Sequence, residues 1–187
     1  MANNLEVCDM ADEELMKRLA EAADRVEIHQ TLMRYCRGVD RADEALINSA
    51  FHPGAIDDHG TPRPATELAY GVARTSHRQL MHFTGNVLIE LEGDTAYVES
   101  YFMSISPSEV DGKTHTRWRA GRYLDRFERR DGAWKIAHRM VVDEWARLDE
   151  LKAVPTEGVG VHPGSRDRND PIYHMRRLLG AAEGAAT

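Results

Sequence analysis

The spacing of apolar residues changes once, near Leu80, and this change constrains the fold more than any other feature of the chain. Before it, Leu15, Leu19 and Ala22 recur at three- and four-residue intervals, and Val26, Ile28, Leu32, Met33 and Cys36 carry the helical pattern on. After it, Val87, Ile89 and Leu91 alternate with Leu88, Glu90 and Glu92, the period of two that belongs to a strand. Turn signals at Gly93-Asp94 and Arg130-Asp131-Gly132 divide the second half into a meander. Its strands are read as Thr95 to Ile105, Trp118 to Arg130 and Ala133 to Trp145, with a polar loop from Pro107 to Lys113. Helices first and long strands afterwards make an α+β chain.

Within the helical half, residues 1–10 read as a loose arm, followed by a helix from Asp12. Asp24 is expected to cap a second helix, with Glu27 as its capping-box partner, and Gly38 to loosen its end. Asp43 is placed to cap a short helix, Glu44 to Phe51, and His52-Pro53-Gly54 then punctuates the chain. A short strand over 55–58 and a helix over 65–78, weakened by Gly71, complete this half. Residues 155–171 hold three prolines and three glycines and read as an irregular linker, after which Pro171 starts a terminal helix through Leu179. The domain division is therefore an arm and helix over 1–23, a folded domain over 24–147 and an extension over 148–187.

The 187 residues suit one domain with a real core. With 24 Lys and Arg against 31 Asp and Glu, the net charge of −7 argues against a nucleic-acid partner. No apolar run approaches the ~20 residues that cross a bilayer, so no membrane role is expected. The acidic start MANNLEVCDMADEEL lacks the apolar core of a signal peptide, and the two cysteines, Cys8 and Cys36, make no disulfide framework. The expected setting is the reducing cytoplasm.

Nucleotide-binding, nucleophile-elbow and zincin motifs are missing. His52, Asp57, Asp58 and His59 are the densest set of possible metal ligands, but their spacing matches no ligand motif, so a polar turn is the better reading and no metal or other cofactor is expected. His59 stays a candidate polar contact to a ligand. Asp40 closes the segment RYCRGVD, near a helix C-terminus where the dipole disfavours negative charge. It is either a solvated carboxylate paired with Arg37 or Arg41, or a group with a specific partner. His82, in LMHFTGN at the start of a strand, is structural unless it meets Asp40; an Asp–His pair would be a general base. Tyr35 is a core aromatic or a donor to a substrate oxygen. Tyr101, Trp118, His138 and Met140 lie on strands and are candidates to line a pocket, whereas Arg139 falls on the opposite face from His138. Only one of those two can point inward. Cys36 reads as a small core residue.

The ordered series ADRVEIHQTLMRYCRGVDRAD, FHPGAIDDHG, MHFTGNVLIELEGDTAYVESY and GRYLDRFERRDGAWKIAHRMVVD resembles the SnoaL-like branch of the nuclear transport factor 2-like superfamily over about residues 24–147. The resemblance implies a cone-shaped α+β barrel: helices packed on a strongly curved, mostly antiparallel mixed sheet that encloses an apolar pocket. It also implies roles. Asp40 falls where the aspartate of the dehydrochlorinases and dehydratases of this superfamily falls, and His82 where their histidine falls. Tyr35 matches the tyrosine five residues before the aspartate in bile-acid dehydratase, and His138 or Arg139 occupies the neighbourhood of a basic residue on the last strand. The implied activity is a cofactor-independent lyase that eliminates water or a small fragment, formaldehyde included, from a hydrophobic aromatic or steroid-like alcohol. His59, Tyr101, Trp118, His138, Met140 and Arg139 are its expected substrate contacts. The alternatives are a steroid-type isomerase and a noncatalytic small subunit of a ring-hydroxylating dioxygenase, because fold alone does not fix function. A homo-oligomer, dimer or trimer, is implied as well.

Overall fold

The computed structural model describes residues 2–75, 79–150 and 162–180, with side chains from residue 12 onward. A long helix α1 (Ala2–Arg41) and a short one, α2 (Glu44–Ser49), lead into β1 (Phe51–Asp58), β2 (Pro62–Pro64) and α3 (Ala65–Ala73). Four long strands follow: β3 (Met81–Glu92), β4 (Thr95–Val110), β5 (Lys113–Arg130) and β6 (Ala133–Glu150). The six strands form one sheet in the order β2-β1-β6-β5-β4-β3, antiparallel at every step except β1 beside β6. This is the expected α+β cone, a curved, unclosed sheet with helices on its inner side.

Several boundaries differ from the sequence reading, each for a physical reason. No break separates an arm, a first helix and a second: α1 is continuous to Arg41. Asp24 and Glu27 do not cap anything, because both are used by the sheet. Trp134 donates its Nε1–H to Asp24 Oδ1 at 2.8 Å and its backbone N–H to Glu27 Oε1 at 3.0 Å. Thr31 Oγ1 donates to the Trp134 carbonyl at 3.1 Å, so three positions on one helix face grip a fully buried tryptophan. Gly38 sits inside α1 rather than at its end. A Cβ there would stand 2.8 Å from the Ile47 backbone and side chain, so its bareness lets α2 approach.

Asp43 caps α2 as expected, accepting from the Leu46 N–H at 3.1 Å, but the helix ends at Ser49 and β1 already begins at Phe51. The Pro53-Gly54 punctuation is absorbed as a register shift within that strand, where Gly54 takes φ +77°. The polar loop expected from Pro107 to Lys113 is instead ladder: β4 and β5 pair without interruption from Thr95–Glu128 to Val110–Lys113, and the turn is only Asp111-Gly112. β6 likewise runs to Glu150 rather than stopping at Trp145. α3 ends at Ala73, and residues 76–78 of the helix expected there lie outside the described residues. Of the expected linker, residues 155–161 lie outside them too, and the terminal helix is a 3-10 turn over Pro171–His174 followed by α4 (Met175–Leu178).

The core lies between α1 and the inner face of the sheet. Ile28, Leu32, Tyr35 and Val39 recur along one side of α1 and meet Ala96, Val98 and Phe102 of β4, Tyr123 and Phe127 of β5 and Trp134 and Ile136 of β6. Gly121 of β5 belongs to this layer: a Cβ would come within 2.1 Å of the Val142 carbonyl oxygen, so glycine is what permits β6 to bend against β5 there.

Candidate active site

Helix α1 ends in a Schellman arrangement. Ala42 takes the left-handed conformation at φ +52°, its N–H bonds the Val39 carbonyl at 3.3 Å, and the Asp43 N–H bonds the Gly38 carbonyl at 2.9 Å. This stop leaves Asp40 in the last turn, buried, with its side chain turned toward the first residues of β3. Its carboxylate takes two hydrogen bonds from one residue: His82 Nδ1 lies 2.6 Å from Oδ1, and the His82 backbone N–H donates to Oδ2 at 2.9 Å. The Nδ1 contact requires the proton on Nδ1, which leaves Nε2 as the imidazole's lone-pair nitrogen. Nε2 has no hydrogen-bond partner among the described residues. The solvated alternative for Asp40 is thereby set aside: neither Arg37 nor Arg41 pairs with it, and Arg41 binds Asp170 at 3.0 Å instead.

The dyad shares the inner face with a second polar group. Arg139 of β6 is fully buried and forks onto Asp125 of β5, Nε to Oδ1 and Nη2 to Oδ2, both at 2.7 Å. Its guanidinium carbon lies 4.1 Å from the Tyr35 ring centroid and 4.0 Å from that of Tyr123. Tyr35 also meets Phe51 and Tyr123 edge-on, at 5.7 and 5.8 Å. Burial pushes the Tyr35 hydroxyl well above the usual tyrosine range, against the pull of Arg139, so Tyr35 can donate a proton in a hydrogen bond but not serve as a base. Arg139 is held charged: burial opposes this, but Asp125 and the two tyrosines outweigh it. Asp57, the register neighbour of Arg139 on β1, is fully buried, and both its carboxylate oxygens lack hydrogen bonds among the described residues, as does Arg139 Nη1. His59 Nε2 stands 3.1 Å from Asp57 Oδ2 without the alignment of a hydrogen bond.

Of the expected site residues, Asp40 and His82 are in contact, Tyr35 packs on Arg139, and His59 stands beside Asp57 at the end of β1. Tyr101, Trp118, His138 and Met140 are not on this side. They alternate out of phase with Phe102, Arg119 and Arg139, which places them on the outer face of the sheet. His138 and Met140 line an outer groove of about 480 Å³ with Leu88, Tyr97 and Leu124. His52 is also elsewhere, its Nε2 2.8 Å from the Glu128 carbonyl oxygen, so the His52–His59 cluster does not assemble. Among the described residues, no group of three or more His, Cys, Asp or Glu side chains is placed to hold a metal ion. Cys36 is a core residue 3.3 Å from Thr84 Oγ1, its thiol pushed up by burial.

Sequence reasoning passed over Tyr123, Asp125 and Arg166, and it weighed Asp57 only as a metal ligand beside His59, not as the neighbour of Arg139. A signal existed for Asp125: it stands in the apolar phase Tyr123, Asp125, Phe127, where a carboxylate must have a buried partner. No sequence signal marked Arg166, which lies in the irregular segment beyond the sheet.

The SnoaL-like domain matches residues 20–140, most of the chain. By sequence, no curated protein matches. Among solved structures, a protein assigned as a scytalone dehydratase from Novosphingobium aromaticivorans superposes with a TM-score of 0.60 at 17% identity, covering 74% of this chain and 95% of its own. A type 3 hexachlorocyclohexane dehydrochlorinase from Novosphingobium barchaimii gives 0.59 at 20% identity, covering 78% of this chain and 99% of its own. A protein assigned as an aromatic ring hydroxylase from Novosphingobium aromaticivorans gives 0.58 at 22% identity, covering 70% and 94%. At these identities the likeness is one of fold.

Proposed function

The chain belongs to the SnoaL-like family, and from that premise we propose that it is a lyase in which His82, oriented by Asp40, is the general base. One observation carries the reading: the Asp40 carboxylate grips His82 at both Nδ1 and the backbone N–H, and leaves Nε2 without a partner among the described residues. A carboxylate so placed fixes the tautomer and stabilises the imidazolium formed when Nε2 takes a proton. Such a pair performs the proton transfer with its own groups. The substrate is a hydrophobic cyclic or aromatic alcohol. In a dehydration His82 removes a proton from carbon, that electron pair becomes a C=C bond as the adjacent C–O bond breaks, and the His82 imidazolium returns the proton to the departing hydroxide, which leaves as water. In a fragmentation His82 removes the proton of a CH2OH group, the oxygen's pair becomes the C=O of formaldehyde as the C–C bond breaks, and the carbon left with that bond's pair takes the proton back from the imidazolium. Tyr35, which keeps its proton, and Arg139 are the groups that would stabilise the departing or developing oxygen.

A second reading has an observation of its own. Arg139 between Tyr35 and Tyr123 occupies the interior of the cone, and a noncatalytic small subunit of a ring-hydroxylating dioxygenase would need no substrate cavity there. One assay separates the two. Purified protein is incubated with a panel of aromatic and steroidal alcohols, and products are followed by mass spectrometry. The lyase reading expects turnover, and a loss of about 10²–10⁴-fold in a folded His82→Ala variant. Equal rates in both proteins would remove His82 as the base. No turnover by either, with copurification of an iron-containing large subunit, would establish the second reading.

A further inference from the structure

We infer that Arg166, in the segment beyond the sheet, is a positioning residue for the Asp40–His82 pair. The last carbonyls of a helix lack intrahelical partners and carry its negative pole. Asp40 places a carboxylate in that same turn, buried, so backbone and side chain add negative potential where both cost most. The Schellman turn satisfies the Gly38 and Val39 carbonyls with backbone N–H groups. The carbonyl of Asp40 itself is bonded by Arg166, whose Nε–H donates to it at 3.0 Å.

The guanidinium goes further. Nη2 donates to the Val39 carbonyl at 2.6 Å, and Nη1 donates to the Thr75 carbonyl at 2.5 Å, tying the end of α1 to the turn after α3. Arg166 is 5% exposed, so this cation faces the helix terminus with little water to screen it. Burial, with Arg41 beside it, pulls its guanidinium below the usual arginine range against the opposing effect of Asp40, and an arginine so lowered still carries its charge at neutral pH. His82 thus holds the Asp40 carboxylate, and Arg166 holds the backbone carbonyls of the turn that carries it. Arg166 also borders an open cavity of about 420 Å³ with Leu80, Met81, Ile105 and Pro107, adjoining the start of β3.

The segment that carries Arg166 is anchored independently. Arg41 donates to the Ser165 carbonyl at 2.8 Å and to Asp170 Oδ2 at 3.0 Å, and the Tyr173 hydroxyl donates to Asp43 Oδ2 at 2.8 Å. The docking of this segment and the effect of Arg166 on the pair can therefore be separated by substitution.

The inference deepens the base reading and rests on it, but its test uses no substrate. The His82 Nδ1–H in a short charge-assisted bond to a carboxylate gives a far-downfield proton resonance, observable in protein with ¹⁵N-labelled histidine. Arg166→Met is expected to move that resonance upfield or broaden it away. Arg166→Lys, which keeps the charge but not the fork, is expected to move it less. Tyr173→Phe, which weakens only the anchor, is expected to leave it in place. An unchanged resonance in Arg166→Met, with only a lowered melting temperature, would make Arg166 a structural anchor and overturn the inference. If Arg166→Met does not fold, Arg166→Lys decides by the same resonance: displaced supports the inference, unmoved overturns it. A His82→Ala variant with undiminished turnover would sink the base reading while leaving this result standing.

Discussion

Arg139 shows what a single residue contributes here. Its bidentate pair with Asp125 has no access to water, and breaking such a pair from one side leaves the other charge buried alone. Arg139→Met is expected to destabilise the fold by about 3–5 kcal/mol. Adding Asp125→Leu should recover much of that loss, since a buried pair replaced by apolar groups is often close to neutral. Urea unfolding of the two variants checks this; a single-variant loss as small as that of a surface ion pair would contradict it. The sequence placed His138 and Arg139 on opposite faces but could not say which face was inner. That phase is set by the partner strand, where Asp125 stands among Tyr123 and Phe127. With His82 as the proposed base, replacing it is expected to remove turnover of the alcohol panel, whereas replacing Met140 on the outer face is expected to leave turnover in place.

At the scale of elements, α1 and the segment after the sheet meet at one helix end. Asp170 is one fastener of that segment. Burial works against its charge, but the N–H groups of Ile172 and Ser165 and the Arg41 guanidinium prevail and hold its carboxyl below the usual range. A depressed folded pKa means the fastener is fully present above the ordinary carboxylate pKa, about 3.9, and is lost as pH falls through the lower folded value. The segment is therefore expected to remain docked at neutral pH and to release in acid. Asp170→Asn should weaken it at neutral pH, seen as trypsin cleavage after Arg166 and Arg168 several-fold faster than in the parent. Equal cleavage rates would rule out that role. The failure of the sequence to place the helix breaks has the same origin as this latch. Asp24 and Glu27 are strong capping types, and only the arrival of Trp134 and Arg129 from the far hairpin turns them from caps into sheet contacts. Local pattern does not contain a partner more than 100 residues away.

For the whole molecule, the outer face of the sheet is the unexplained surface. Leu88, Tyr97, Tyr101, Leu124, Met140 and Trp145 are large, apolar and each more than a third exposed. A soluble monomer rarely keeps so continuous an apolar face, and pairing two sheets would cover it. A homo-oligomer is expected in solution, with Leu124→Glu shifting it toward monomer while leaving the inner-face dyad in place. Light scattering on both proteins reads this directly, and a monomeric parent protein would contradict it.

The sequence by itself determined the order of helices before strands, the existence of the long strands and two of their three hairpin turns, the α2 cap at Asp43, and the residue types from which a dyad could be built. These follow from periodicity, turn chemistry and local hydrogen bonding, which act over a few residues. Tertiary structure decided the rest. It brought His82 to Asp40 across 42 residues, chose Arg139 over His138 for the inner face, and sent Tyr101, Trp118, His138 and Met140 outward. It also carried Arg166 back to the end of α1 across 126 residues. The physical reason is the same in each case. A buried charge is tolerable only beside its partner, and the curvature and register of the sheet determine which distant residue that partner is.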